Sequence, residues 1–175
     1  DLLGYCSNSA NPVGRLVLMV FGYRDEALFS LSDNICTALQ LANFWQDVGV
    51  DLGKDRLYLP LDDMKEFGYS VDDWKAGIYD ERFKHLMKFE IDRTRDLFYQ
   101  GASLPSLVNK DLEVELKLIW FGGMEILRQT EKSQFDVFRN RPILSGSSKL
   151  RIFLRAMWYG DLTKYGKKSK PWELA

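Results

Sequence analysis

One long stretch, Ile35 to Pro60, is apolar around most of its circumference. Turned at about 100° per residue, it spreads Leu39, Leu41, Ala42, Phe44, Trp45, Val48, Val50 and Leu52 over every side but one, with Gln46 as the exception. The remaining arc, about 80° wide, holds Gln40, Asn43, Asp47 and Asp51 at spacings of three, four and four. This predicts a helix N-capped by Ser32 or Asp33, free of proline before Pro60 and ended by Gly53. A surface helix keeps an apolar stripe of about 100° and is polar elsewhere. Here the proportions are reversed, so the helix reads as buried, with its polar row turned into a cavity. A solvated acidic face is the competing reading.

The same periodicity places the other elements. Asn11-Pro12 starts a helix, with the amide as N-cap, that runs to about Phe21 and stops at Gly22. Asp62 or Asp63 caps a short helix ending at Gly68, and Ser70 to Asp73 caps another around Trp74. Phe83, Leu86, Met87, Phe89, Leu97 and Phe98 form the core face of a helix from Asp80 to Gln100. Asp92 and Asp96, among Arg93 and Arg95, belong to its solvated face, as does the lone His85 between Lys84 and Lys88. Gly101 and Pro105 break the chain before a helix from about Leu107 to Gln129. Inside it, Gly122 and Gly123 cost about 1 kcal/mol each relative to alanine. They mark close approach of another helix, room for a bulky apolar ligand, or a kink. Trp120 and Phe121 read as core aromatics or as the lining of an apolar tunnel. A loop from Arg139 to Ser148 leads to a last helix, about Lys149 to Tyr159. With no alternating stretches, the sum is an all-α bundle, a single helical domain over residues 1–175 with a site between helices.

Composition narrows the function classes. The chain is 46% hydrophobic and 14% aromatic, enough for a packed core. Its 24 basic and 25 acidic residues set up no field for nucleic acid. Cys6 and Cys36 make no disulfide framework, no stretch approaches the ~20 apolar residues that span a bilayer, and no signal peptide is visible. The expected location is the cytoplasm, with at most peripheral contact at the inner face of the membrane. Residues 160–175 read as a flexible solvated tail; its Lys164, Lys167, Lys168, Lys170 and Trp172 leave contact with anionic lipid as the alternative. Glycine fingerprints for nicotinamide or ATP are absent.

The chemistry lies in the polar row. Two aspartates one turn apart, with an amide one turn earlier, are hard oxygen donors suited to Mg²⁺, which one or two carboxylates, waters and a substrate phosphate usually hold. Arg56 and Tyr58 follow at once. An arginine fork beside such carboxylates suits a diphosphate; a surface ion pair with Asp55 or Asp51 is the bland alternative.

The run ALQLANFWQDVGVDLGKDRLYLP resembles the second aspartate-rich motif of the squalene and phytoene synthase family, all-helical isoprenoid synthases that join two prenyl diphosphates head to head. YCSNSANPVGRLVL is similar to another family segment, and the resemblance extends from Asp1 to about Arg155. Ser-Ala-Asn-Pro-Val-Gly, Phe44-Trp45-Gln46 and Phe121-Gly122-Gly123 look most like one bacterial branch, the hydroxysqualene synthases of hopanoid and squalene biosynthesis. The resemblance implies an isoprenoid-synthase fold with a central cavity. It implies Mg²⁺ held by Asn43, Asp47 and Asp51, with Gln40, Arg56 and Tyr58 around the diphosphate. Tyr5 becomes a catalytic candidate for cation stabilisation or proton handling, against its reading as a packed aromatic at a helix end. The implied substrate is presqualene diphosphate, itself made from two farnesyl diphosphates. A phytoene or squalene synthase is the nearer alternative. Asn8 and Asn11 depart from the tyrosine and glycine often found there. Relatives carry an earlier aspartate-rich motif upstream, so the chain reads as the C-terminal portion of a trans-isoprenyl diphosphate synthase domain, inactive in isolation. A non-catalytic scaffold member is the reading from another class; the intact row argues against it.

Overall fold

The chain is built around a 27-residue helix, and the computed structural model describes residues 2–165. Two short helices, α1 (Leu2–Ser9) and α2 (Asn11–Val20), lead into this long α3 (Glu26–Leu52). After it come α4 (Leu61–Glu66), α5 (Val71–Lys75), α6 (Glu81–Gln100), a 3-10 turn at Leu104–Leu107, α7 (Lys110–Lys132), α8 (Gly146–Trp158) and a 3-10 turn at Leu162–Lys164. Among the described residues there is no strand, and no helix is long and apolar enough to cross a membrane. Residues 166–175, with Lys167, Lys168, Lys170 and Trp172, lie outside the described part.

α3 packs against α6, α2 and α7, while α8 packs on α7. Two indoles fix these contacts. Trp45 on α3 donates to Thr94 Oγ1 on α6 at 2.8 Å, and Trp120 on α7 donates to the Phe98 carbonyl on α6 at 2.7 Å. Both rings are fully buried, so each polar tip is satisfied where water is excluded. Gly123 is the close approach of the glycine pair: a Cβ there would lie 2.2 Å from the Phe98 ring. Gly122, by contrast, meets nothing within 4 Å.

Several element boundaries differ from the sequence expectation, each for a local reason. α3 starts two turns early, at Glu26, because Asp25 caps it through the Ala27 N–H. Ser32 is instead buried, and Asp33 pairs with Arg15 of α2 at 2.5 Å. Asn11 is not a cap: Ala10 is helical, so α1 runs almost directly into α2, and Asn11 Oδ1 accepts from Thr37 Oγ1 of α3 at 3.0 Å. Pro60 rather than Asp62 or Asp63 holds the N-cap position of α4. α7 runs from Lys110 to Lys132 under an Asn109 cap, and α8 begins at Gly146 under a Ser145 cap. Phe89 is exposed and Leu97 half-buried, so the core face of α6 is narrower than expected. The Ser70 capping box at α5 is as expected, and Asp92 pairs with Lys88 on the outer side of α6. Arg95 departs from the expected solvated face: it is buried, reaching Asp92 at 2.7 Å and Glu131 of α7 at 2.6 Å. Trp120 and Phe121 are both core residues.

Candidate functional site

The polar row of α3 occupies an edge between two cavities. Gln40 is half-buried, Asn43 is exposed, and the side chains of Asp47 and Asp51 are 29% and 13% exposed. On one side Asn43 opens onto a groove of about 720 Å³ between α3 and α7, whose walls include Leu39, Leu118, Ile119, Gly122, Gly123 and Ile126. The missing Cβ at Gly122 leaves this space free. On the other side Phe44 stacks on Tyr58 with ring centroids 3.9 Å apart. Tyr5 joins them, 5.8 Å from Phe44 and 6.4 Å from Tyr58. It is half exposed and lines, with Tyr58 and Arg93, a second cavity of about 660 Å³.

Each carboxylate of the row already faces a cation. Arg141 donates from Nε to Asp47 Oδ1 at 2.6 Å, which raises the guanidinium pKa further. Lys54 Nζ lies 3.7 Å from Asp51. Arg56 makes no ion pair among the described residues, with Asp55 or with Asp51. Its backbone N–H closes on the Asp51 carbonyl at 2.9 Å, and its side chain borders a small cavity with Asp51, Tyr58 and Trp74. The turn that presents Arg56 is made by Asp55 at φ 54°, while Gly53 at the C-cap stays right-handed. Aspartate tolerates that left-handed conformation better than most residues.

Sequence reasoning missed the loop that straps the row. Gln46, the apparent exception on the apolar face, is buried and donates to the Pro142 carbonyl. Gly49 lies flush under the same loop, where a Cβ would sit 2.7 Å from the Val137 carbonyl. Arg141 follows 94 residues after its partner, and only its position in a proline-containing loop singled out the segment.

Among the described residues no three or more His, Cys, Asp or Glu side chains are grouped to hold a metal by themselves. Two carboxylates and an amide along one helix edge nonetheless fit Mg²⁺, which keeps several waters and takes further oxygens from a phosphate. The buried chemistry elsewhere is of another kind. Glu90 on α6 is fully buried, with Arg93 Nη2 at 2.5 Å from Oε2 and no partner for Oε1. Burial outweighs the arginine and pushes its carboxyl up to about 8.

Helices arranged around a groove, with an oxygen-donor row beside it, define an all-α isoprenoid-synthase-type fold. A solved dehydrosqualene synthase shares that fold at a TM-score of 0.80, with 24% identity, over 90% of this chain and 56% of that one. The profile of the Squalene/phytoene synthase family matches residues 1–148, and the chain belongs to that family. It is 42% identical to the squalene synthase HpnC from Alicyclobacillus acidocaldarius, with a TM-score of 0.76, over 77% of this chain and 51% of that one. It is 37% identical to the phytoene synthase of Thermus thermophilus over 89% of this chain and 53% of that protein. With the 15-cis-phytoene synthase of Synechocystis sp. the identity is 32%, over 88% and 49%. The chain thus spans about half the length of these curated relatives.

Proposed function

We propose that the protein carrying this chain joins two prenyl diphosphates head to head, and that α3 supplies one wall of its diphosphate site. The observation that carries this is the row Asn43, Asp47 and Asp51 on the edge of an apolar groove, with Arg56 and Tyr58 directly beyond its end. Asn43, Asp47 and Asp51 would hold Mg²⁺, which supplies charge compensation for a departing diphosphate. Arg56, with no internal ion pair, offers its donor fork to diphosphate oxygens, and the Tyr58 hydroxyl adds a donor. Gln40, half-buried one turn before Asn43, orders the row. Tyr5, Phe44 and Tyr58 present π-faces that stabilise a nearby carbocation. The α3–α7 groove takes a prenyl chain.

Within this reaction class the relatives favour carbon–carbon joining, as in phytoene or squalene synthases. The narrower reading, conversion of presqualene diphosphate to hydroxysqualene, is supported by residues 9–14 and by the likeness to the squalene synthase HpnC, and it makes the substrate one C30 diphosphate rather than two C15 or C20 ones. Full-length protein assayed with farnesyl, geranylgeranyl and presqualene diphosphates, with and without Mg²⁺, separates these readings by product. Asp47→Asn should lower Mg²⁺-dependent turnover by about a hundredfold or more. Full activity in that variant would remove the row from the mechanism. Release of hydroxysqualene from presqualene diphosphate alone would select the narrower reading.

A further inference from the structure

Two carboxylates converge on one arginine between α4 and α6. Arg93 Nη2 donates to Glu90 Oε2 at 2.5 Å and to Asp63 Oδ2 at 3.0 Å, and its guanidinium lies over the Phe89 ring, 5.1 Å from the centroid. With both acids ionised, two negative charges would face one positive. Glu90 is poorly placed for that: its side chain is fully buried, and Oε1 has no partner. A sealed, unpaired carboxylate oxygen is costly. Because Oε1 is already closed off from the surface, chain packed outside the described residues would not supply its partner. One proton resolves the conflict. A protonated Glu90 has a hydroxyl to donate, the Asp63 carboxylate is within hydrogen-bonding reach, and one negative charge then faces one guanidinium.

Burial is the largest cause of the raised Glu90 pKa; Arg93 opposes it, and the hydrogen bond and charge of Asp63 add to it. The other neighbours of this turn are neutral or otherwise engaged. α3 meets it with the Trp45 indole, whose partner Thr94 Oγ1 donates to the Glu90 carbonyl. On α7, Glu131 is taken by Arg95, about 140° around α6 from Glu90. What the cluster holds is α4, whose six residues are too few to be stable alone. α4 is tied down by Met64 in the core, by Phe67 against Phe89 with centroids 5.5 Å apart, and by Asp63 on Arg93. Residues 53–60 between α3 and α4 form no helix, and Asp63 comes five residues after Tyr58. α4 therefore fixes the far end of the turn that carries Arg56 and Tyr58.

We infer that Glu90 and Asp63 share one proton against Arg93, and that this bridge positions the Arg56–Tyr58 turn by clamping α4 to α6. The positioning role rests on the diphosphate function proposed for that turn; the clamp does not. Glu90, Asp63 and Arg93 are positioning residues, since they act on diphosphate only through α4 and the turn before it. Loss of the proton, as pH rises through about 8, leaves two carboxylates on one cation and loosens α4.

Hydrogen exchange and calorimetry on the full-length protein, near pH 7 and pH 9, test both parts. Amide exchange over residues 54–67 should match in wild type and Glu90→Gln near pH 7. Near pH 9 it should be about tenfold faster in wild type, because the glutamine amide keeps a donor for Asp63 and cannot ionise. The Kd for inorganic diphosphate with Mg²⁺ should follow, its wild-type-to-variant ratio rising about tenfold; the ratio cancels titration of diphosphate itself. Asp63→Asn, which leaves Arg93 to Glu90 alone, should bring the loosening to lower pH, and it gives a second test should Glu90→Gln not fold. The same pH response of exchange in wild type and Glu90→Gln overturns the clamp, as does an unchanged response in Asp63→Asn. Exchange that follows the expectation while the ratio of Kd values stays constant overturns the positioning role. No diphosphate binding by wild type at either pH counts against the diphosphate reading and takes the positioning role with it, while exchange still decides the clamp.

Discussion

Gly122 and Gly123 show how much one neighbour decides. Both interrupt α7 at similar intrinsic cost, yet Gly123 lies against the Phe98 ring and Gly122 faces the open groove. Gly123→Ala should destabilise the protein by about 2 kcal/mol through overpacking, read as a lower urea midpoint. Gly122→Ala should be neutral or stabilising by up to about 1 kcal/mol, from helix propensity alone. It should narrow the groove, so prenyl-chain binding is the readout that responds. The sequence marked the pair as a place of close approach or free room, and the two glycines divide those roles. What it did not reveal is Arg141. An ion pair between a helix and a loop 94 residues away leaves no periodic trace in either segment. Gln46 was anomalous on an apolar face for the same hidden reason: its partner is the Pro142 carbonyl of that loop.

At the scale of elements, periodicity predicted helix existence well and helix ends poorly. α3, α6, α7 and α8 are present because their apolar repeats are long, while their first turns are set by whichever side chain reaches an orphan amide. Asp25 and Ser145 do that work four to eight residues before the expected positions, and Asn109 does it two residues after the expected start. The Ser70 box was legible because both its partners lie within four residues, and Ser70→Ala should cost about 1 kcal/mol in thermal or urea unfolding. Glu90 links α6 to α4 through Arg93, which also reaches Asp63 at 3.0 Å. Its carboxyl, pushed up to about 8 from an ordinary 4.5, keeps its proton in the folded chain over a range where the unfolded chain has released it. Stability should therefore fall as pH rises through that window, by a few kcal/mol in all, as the fold is left holding a buried charge. Urea midpoints compared near pH 5.5 and pH 8.5 measure this, and Glu90→Gln should flatten the difference.

In the whole molecule α3 is the common wall. Its inner sides hold the core through Trp45 and Ile35, and its one polar edge runs between the α7 groove and the Tyr5–Phe44–Tyr58 cluster. The all-round apolar pattern identified the helix as buried. It did not show that the row would be half open, with Asn43 exposed and Asp47 under Arg141. Burial on a helical wheel is an average around the axis, and openness depends on which neighbours cover each edge. The proposed diphosphate chemistry rests on that edge binding a divalent ion. The most direct measurement is a crystal structure of the full-length protein with Mn²⁺ and inorganic diphosphate, located by anomalous scattering. The account predicts a metal peak about 2.2 Å from oxygens of Asp47 and Asp51, with Arg141 displaced from Asp47 and diphosphate oxygens completing the shell. Metal and diphosphate bound elsewhere, with the Arg141–Asp47 pair intact, would contradict it.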